Sequence, residues 1–208
     1  MHDDLLPKLK TSDSKSKFSV KNILESADSI FDEGNSADFT ARNLSERSGY
    51  SVGAIYHHFQ KAEHAFILML FSRRERRLNQ LIDIINQFPE DRPLNHLIEL
   101  LVDTAFSELN RLNRKTFILI ARMAIKFSKD HLSFDNSLSI LADPYIAARE
   151  RNTTGTFRHI EHDDLIMLFR LCAISLRQPF LTQDPIAGTQ KHRDFVVDTM
   201  MRLFWNQT

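Results

Sequence analysis

The sequence contains a single cysteine, only five glycines, and 27 basic residues that balance 27 acidic ones. A lone cysteine excludes a disulfide framework and the zinc sites built on Cys pairs. Cys172 lies in the apolar run LIMLFRLCAISL, which predicts an inert buried thiol. A formal net charge of +0 excludes a globally basic surface, so any nucleic-acid binding must come from a local patch.

Long hydrophobic runs are also missing. The longest, around residues 67–71 and 165–176, are interrupted or flanked by charge and fall short of the ~20 residues that a membrane span needs. We therefore expect no membrane span. The first residues mix acids with lysines and contain no apolar stretch of signal-peptide length. We expect a flexible arm over residues 1–18 and a cytoplasmic protein.

Sustained alternation of apolar and polar residues is absent, which argues against strands, whereas helical periodicity recurs along the chain. The apolar pattern predicts a first helix over about 19–33, capped by Ser19 and ended by Gly34. An uninterrupted long helix runs from Lys61 to about residue 88. Further helices are expected at about 94–111, 115–129, 134–151, 161–181 and 186–205. The fold class is all-α.

Two very short helices lie between the first and the long helix. Thr40 can cap one of them, which Gly49 stops, and Ser51 can cap the next, which carries Ile55 and Phe59. Two such helices joined by a tight turn containing glycine form a helix-turn-helix, whose second helix can enter the major groove of DNA. On spacing alone, a capped helical hairpin in an ordinary bundle is at least as good an interpretation.

The stretch ILESADSIFDEGNSADFTARNLSERSGYSVGAIYHHFQKAEHAF resembles the TetR family of one-component transcriptional regulators. The resemblance implies a helix-turn-helix DNA-binding domain over 19–62 and a helical domain over 63–208 that binds a ligand and forms a homodimer. It also implies a partner, double-stranded operator DNA. Family members usually carry a lysine at the position of Ala62. Here the lysine is Lys61. Either Lys61 serves from a shifted position, or the N–H groups at the helix start hold the phosphate alone.

Within this motif, side chains suited to phosphate oxygens or base edges cluster on the second short helix and its flanks. Arg42 can reach a guanine O6/N7 pair, and Gly53 lets the backbone approach DNA closely. The predicted DNA-binding residues are Thr40, Arg42, Ser51, Val52, Gly53, Ala54, Tyr56, His57, His58 and Lys61. No metal site is expected at His57, His58 and His64, because adjacent histidines on a helix point in different directions.

Two other polar clusters have competing interpretations. HIEHDD, His159 to Asp164, is a candidate metal site, but acids at a helix start are expected from the helix dipole, and we favour that interpretation. Arg73, Arg74, Arg76 and Arg77 are interpreted first as a solvated face of the long helix. The alternative is a contact with the N-terminal domain of the same or a partner subunit.

The C-terminal part is rich in phenylalanine and methionine, which form a core and also suit an apolar ligand pocket. The candidates for binding a small-molecule effector are Phe106, Phe117, Met123 and Phe127. Dimerisation is expected through the helices at about 161–181 and 186–205, because apolar residues cover nearly the whole circumference of the first. The predicted function is a ligand-controlled repressor without a cofactor. The alternative is a helical ligand-binding or adaptor protein, while catalytic motifs are missing.

Overall fold

The computed structural model of the chain describes residues 14–33, 39–112, 116–118, 120 and 136–206. Within these residues no strand forms, and one isolated antiparallel bridge joins Phe157 to Trp205. The helices are α1 (Ser14–Asp32), α2 (Ala41–Ser48), α3 (Val52–His58), α4 (Ala62–Asn86), α5 (Leu94–Arg111), a 3-10 helix (Asn136–Leu141), α6 (Ala142–Arg151), α7 (His162–Thr182) and α8 (Gln190–Phe204). The predicted all-α fold class is confirmed.

The chain divides into two compact units. The N-terminal unit takes Met1–Glu75 and Lys115–Asp130, and the C-terminal unit takes Arg76–Arg114 and His131–Thr208. The division falls inside α4, so this one helix contributes its first half to one unit and its second half to the other. The domain limits at residues 18, 62 and 208 stay predictions.

Local cap chemistry sets the limits of the two short helices, as predicted. The Thr40 hydroxyl accepts a hydrogen bond from the Asn43 N–H at the start of α2, and the Ser51 hydroxyl accepts one from the Ala54 N–H at the start of α3. Gly49 ends α2 with φ +74°, in the left-handed region that favours glycine. Because these interactions span three or four residues, they can be read directly from the chain.

Two predicted helix starts are wrong. α1 begins at Ser14 rather than Ser19, because neither proline nor glycine interrupts the preceding turn; residues 14–18 are therefore helical. α8 begins at Gln190 rather than at 186, and the Thr189 hydroxyl caps it by accepting from the His192 N–H. Gly188, with φ +73°, makes the intervening turn. The predicted stop at Gly34 and most of the 115–129 helix lie outside the described residues.

The core of the N-terminal unit joins α1 to the three helices that follow. Fully buried apolar side chains come from each of them: Ile23, Ala27, Ile30, Leu44, Ile55, Phe59, Ala65 and Phe66. The Phe39 ring lies 3.9 Å from the Phe66 ring and 6.4 Å from the Phe31 ring, measured between centroids. An aromatic chain therefore connects the end of α1 with α4.

The core of the C-terminal unit centres on Tyr145. Its ring lies between 5.5 and 5.8 Å from the rings of Phe157, Phe169 and Phe204, measured between centroids. The loop before α7 also fixes α5, because the Thr156 hydroxyl accepts from the Leu94 N–H at 2.9 Å. Burial raises the pKa of Cys172 to about 12, which agrees with the inert thiol predicted from its neighbours.

α7 has two apolar faces. Leu165, Phe169 and Cys172 are buried in the C-terminal unit, whereas an exposed stripe formed by Met167, Leu171, Ile174 and Leu181 lies on the other face. Of the helices in the described residues, α7 alone is long and apolar enough to cross a membrane, by length and composition only. The expectation that no run reaches that length underestimated this helix, because Arg170 and Arg177 interrupt the sequence without ending the helix.

Candidate nucleic-acid interface

α3 presents one buried and one exposed face. Ile55 and Phe59 are fully buried, which holds the helix against the N-terminal unit. Val52 is 39% exposed and Tyr56 53% exposed; the two lie four residues apart and so share a face. Gly53 and His57, also four apart, extend this exposed face. Of the predicted residues on α3, Ala54 and His58 are half-buried at its border.

The predicted residues that precede the helices serve first as caps. Thr40 and Ser51 are exposed, and each hydroxyl oxygen accepts one backbone N–H. A hydroxyl has one donor and two acceptor sites, so each O–H remains available to donate to a phosphate oxygen. Both hydroxyls can thus combine a structural hydrogen bond with a DNA contact.

Arg42 projects from α2 with 84% of its side chain exposed, and its Nε donates to Glu46 Oε1 at 3.0 Å. Sequence reasoning missed Glu46, although the four-residue spacing was visible. An exposed pair of this kind contributes only about 0.2–1 kcal/mol. The Glu46 carboxylate therefore orients the Arg42 guanidinium, and the pair is weak enough for the guanidinium to exchange this partner for a base or a phosphate.

His57 and His58 end α3 as an adjacent pair, with ring centroids 5.4 Å apart. The His58 ring also contacts the edge region of Phe59, at 6.4 Å between centroids. Burial, and secondarily the charge on His57, lower the pKa of His58. Both are the basic residues of the last turn, where the helix dipole favours a cation.

At the start of α4, Lys61 lies just before the helix and Ala62 is its first residue, in the positions that the sequence indicated. Lys61 is exposed and immediately precedes the helix, its carbonyl accepting from the His64 N–H at 3.0 Å. Ala62 is the first helical residue and is half-buried. N–H groups at the start of a helix can bind a phosphate, and Lys61 lies beside this helix start.

The solvated-face interpretation of the arginine run is wrong for Arg73 and Arg77, and the alternative, a contact with the N-terminal domain of the same subunit, is observed for Arg73. Arg73 forms ion pairs with Asp28 and Asp32 of α1, and Arg77 donates to Glu108 of α5 at 2.9 Å. Both side chains are partly buried, with 19% and 32% exposed. The solvated-face interpretation failed because the acidic partners lie more than 30 residues away in sequence.

The other candidate clusters are separate from this surface. His159 lies 3.3 Å from Glu161, and His162 lies 3.4 Å from both Asp143 and Asp163. Within the described part of the chain, no three His, Cys, Asp or Glu side chains are grouped to hold a metal ion.

Of the ligand candidates, Phe106 is buried in the C-terminal unit and Phe117 in the N-terminal unit. Met123 and Phe127 lie outside the described residues.

Residues 23–63 match the family described as bacterial regulatory proteins, tetR family. This match covers α2, α3 and the second half of α1. The segment 23–63 therefore has the sequence of a TetR-family N-terminal domain. No curated protein is significantly similar in sequence along the chain.

Solved structures extend the TetR fold to the remainder of the chain. A TetR transcription regulator from Haloarcula marismortui is 14% identical, with TM-score 0.65, covering 91% of this chain and 100% of the other. SmeT, the repressor of the Stenotrophomonas maltophilia multidrug efflux pump SmeDEF, is 16% identical, with TM-score 0.61 and coverage of 90% and 91%. A proposed transcriptional regulator from Saccharomonospora viridis, in complex with choline, is 13% identical, with TM-score 0.56 and coverage of 92% and 100%.

A substitution at Gly53 tests whether the exposed face of α3 approaches DNA closely. A Cβ added there meets only Ser51 Oγ, at 3.8 Å, so Gly53→Ala fits the free protein. Alanine inside a helix is favoured over glycine by roughly 0.5–1 kcal/mol. We expect thermal unfolding to shift upward while affinity for selected DNA falls. A variant that is more stable and binds DNA as tightly as the wild type would remove Gly53 from the contact surface.

Proposed function

We propose that this TetR-family regulator is a repressor that binds a palindromic operator as a homodimer. The observation that carries the proposal is the exposed face of α3, formed by Val52, Gly53, Tyr56 and His57 and held by the buried Ile55 and Phe59. Such a face combines phosphate donors with apolar contacts for thymine methyl groups. SmeT is described as a repressor, which supports the direction of regulation.

Selection of bound sequences from random DNA tests this proposal. We expect a palindromic motif whose half-sites are separated by about 34–36 Å or a multiple of it. Arg42→Ala should relax specificity at one position in each half-site and reduce affinity by about 1–3 kcal/mol. Lys61→Ala should instead weaken binding to all DNA sequences alike. It should also reduce the slope of log affinity against log salt concentration by about 1 per subunit, because each phosphate contact contributes about −0.9. A flat salt response, or no enriched motif, would contradict operator binding.

The dimer is proposed to form through α7 and α8, as the sequence suggested. Met167, Leu171, Ile174 and Leu181 provide a stripe of exposed apolar side chains on α7, and Phe195 is 60% exposed on α8. Large exposed apolar areas of this kind are typical of interaction surfaces. A two-fold interface of two identical stripes also matches a palindromic operator. This arrangement accounts for the exposed face of α7 without a membrane, and we propose that the protein acts in the cytoplasm.

Control by a small molecule is proposed from the choline complex of one structural neighbour, and an apolar ligand is proposed from the apolar core of the C-terminal unit. Phe106 packs 4.8 Å from the His192 ring, so it belongs at least to the core of that unit. A ligand changes operator affinity only if it binds the DNA-binding state of the protein and the state that does not bind DNA with different affinities. This difference is typically about 1–3 kcal/mol. A thermal-shift screen of hydrophobic compounds, followed by operator titration with each hit, separates ligands that regulate from ligands that only bind.

A further inference from the structure

The C-terminal end of α1 carries an unusual amount of negative charge for a helix. Glu25, Asp28, Asp32 and Glu33 line one groove on it together with Ser29. Acidic side chains are disfavoured there, because the helix dipole places partial negative charge at the same end. The N-terminal unit compensates with arginines from two other helices, and this acidic end of α1 is the surface on which they converge.

The two arginines differ in burial. Arg47 of α2 donates to both carboxylate oxygens of Glu33 and, at 3.2 Å, to the Ser29 hydroxyl, with 39% of its side chain exposed. Arg73 of α4 is only 19% exposed and pairs with Asp28, itself 26% exposed. Because water screens exposed pairs far more than buried ones, the Arg73 pair is the stronger of the two connections.

Arg73 also contacts the aromatic chain of the N-terminal unit. Its guanidinium lies 4.7 Å from the centre of the Phe31 ring, and Phe31 is 3% exposed. One side chain therefore makes an ion pair with Asp28, a second with Asp32 and a cation–π contact, all with α1. Lysine cannot reproduce this combination, since it lacks the planar fork that binds two carboxylates.

Arg73 is nonetheless badly placed for a DNA contact of its own. It lies 11 residues beyond Ala62, where α4 begins, which is about 16 Å along the helix. The two aspartates beside it would also repel a phosphate. Its contacts instead fix α1 on α4, and α1 packs on α2, which in turn packs on α3.

We propose that Arg73 is a positioning residue for DNA recognition: by holding α1 on α4 it sets the placement of α2 and α3, and so determines operator affinity without touching DNA. The proposal rests on the operator binding proposed above. It assigns a specific consequence to Asp28 as well. Loss of either partner should weaken specific binding, although removing an acid ordinarily strengthens the binding of a protein to a polyanion.

The test compares Arg73→Gln, Asp28→Asn and the double variant in the full-length chain, using the selected operator and a scrambled duplex. We expect Arg73→Gln to lose about tenfold in operator affinity and Asp28→Asn to lose less, since Arg73 keeps Asp32 and Phe31 in that variant. The double variant should lose no more than Arg73→Gln, because the pair with Asp28 is already absent there. Affinity for the scrambled duplex and the salt slope should stay at the wild-type values. Arg76→Gln, which removes the same charge from an exposed position on α4, is the matched control and should bind like the wild type.

Folding must be separated from positioning. Circular dichroism and the active fraction from stoichiometric titration are measured at a temperature well below unfolding, and Arg73→Lys gives a milder variant that retains the charge. We expect an unchanged active fraction, with Arg73→Lys intermediate between the wild type and Arg73→Gln. An Asp28→Asn variant that binds the operator as tightly as the wild type or tighter, or a reduced salt slope in Arg73→Gln, would overturn the positioning role. Failure of the wild type itself to select a DNA sequence would overturn the proposed function as well.

Discussion

Leu171→Glu should convert the protein from a dimer to a monomer at micromolar concentration. Leu171 is 49% exposed on the apolar stripe of α7, so roughly half of its burial energy is available to a partner. The substitution removes this burial energy in both subunits of a two-fold dimer, so the dimer loses about 1.5–3 kcal/mol. Desolvation of the two introduced carboxylates adds at least as much. The dimer dissociation constant should therefore rise more than about a hundredfold, since each 1.4 kcal/mol is tenfold.

Light scattering in detergent-free buffer measures the change directly, because the chain mass is 24.2 kDa and the proposed dimer has twice that value. Leu100→Glu is the matched control: Leu100 is 50% exposed, receives the same substitution and lies on α5, outside the stripe. It should leave the dimer intact. The Leu171 variant should also lose most of its operator affinity, because one subunit reaches only one half-site. A wild-type protein that is monomeric, or that needs detergent to stay in solution, would contradict this interface.

The exposed stripe illustrates what the sequence alone predicted and what it did not. The apolar circumference of the 161–181 segment indicated burial on more than one side, and the structure separates the two faces. The stripe itself follows from helical spacing once Leu165 and Phe169 are known to face the core. Which face meets the core depends on the other helices, and that is not a local property of the sequence.

The helix-turn-helix was predictable in greater detail, because its determinants are local. Thr40, Gly49 and Ser51 act through hydrogen bonds and backbone angles within a few residues. The pairing of Arg73 with Asp28 could not be predicted in the same way, since it joins residues 45 positions apart. An acidic helix end and a distant arginine run were both visible, but nothing in their spacing connects them.

Operator binding should depend on pH between about 5.5 and 8, because histidines are the only basic residues of α3. These residues are His57 and His58, and histidine is the side chain that changes charge near neutral pH. The charged residues on the adjoining described elements are Arg42, Glu46 and Arg47 on α2, with Lys61 and Glu63 after α3. A phosphate oxygen within reach of either ring would favour the protonated form, and binding would then take up protons.

The sign of the effect follows from linkage. Burial and the neighbouring His57 lower the pKa of His58 in the free protein, whereas a bound phosphate raises it. Operator affinity should therefore increase as the pH falls from the pKa of His58 in the DNA complex to its pKa in the free protein, and it should level off at lower pH. As the pH rises through the pKa in the complex, the affinity should decline. Each proton taken up contributes a slope of at most about tenfold per pH unit. Operator titrations between pH 5.5 and 8 at constant ionic strength measure this slope.

The His57→Gln and His58→Gln variants identify the group responsible. Glutamine keeps a hydrogen-bond donor but does not titrate, so the double variant should bind with a nearly constant affinity across this pH range. Each single variant should lose the share of the slope that its histidine provides, and His58→Gln should flatten the acidic side most, since the lowered pKa places its protonation there. Thermal unfolding at each pH shows whether folding contributes. If the double variant retains the wild-type slope, the protons are taken up elsewhere and the histidine pair recognises DNA as neutral rings.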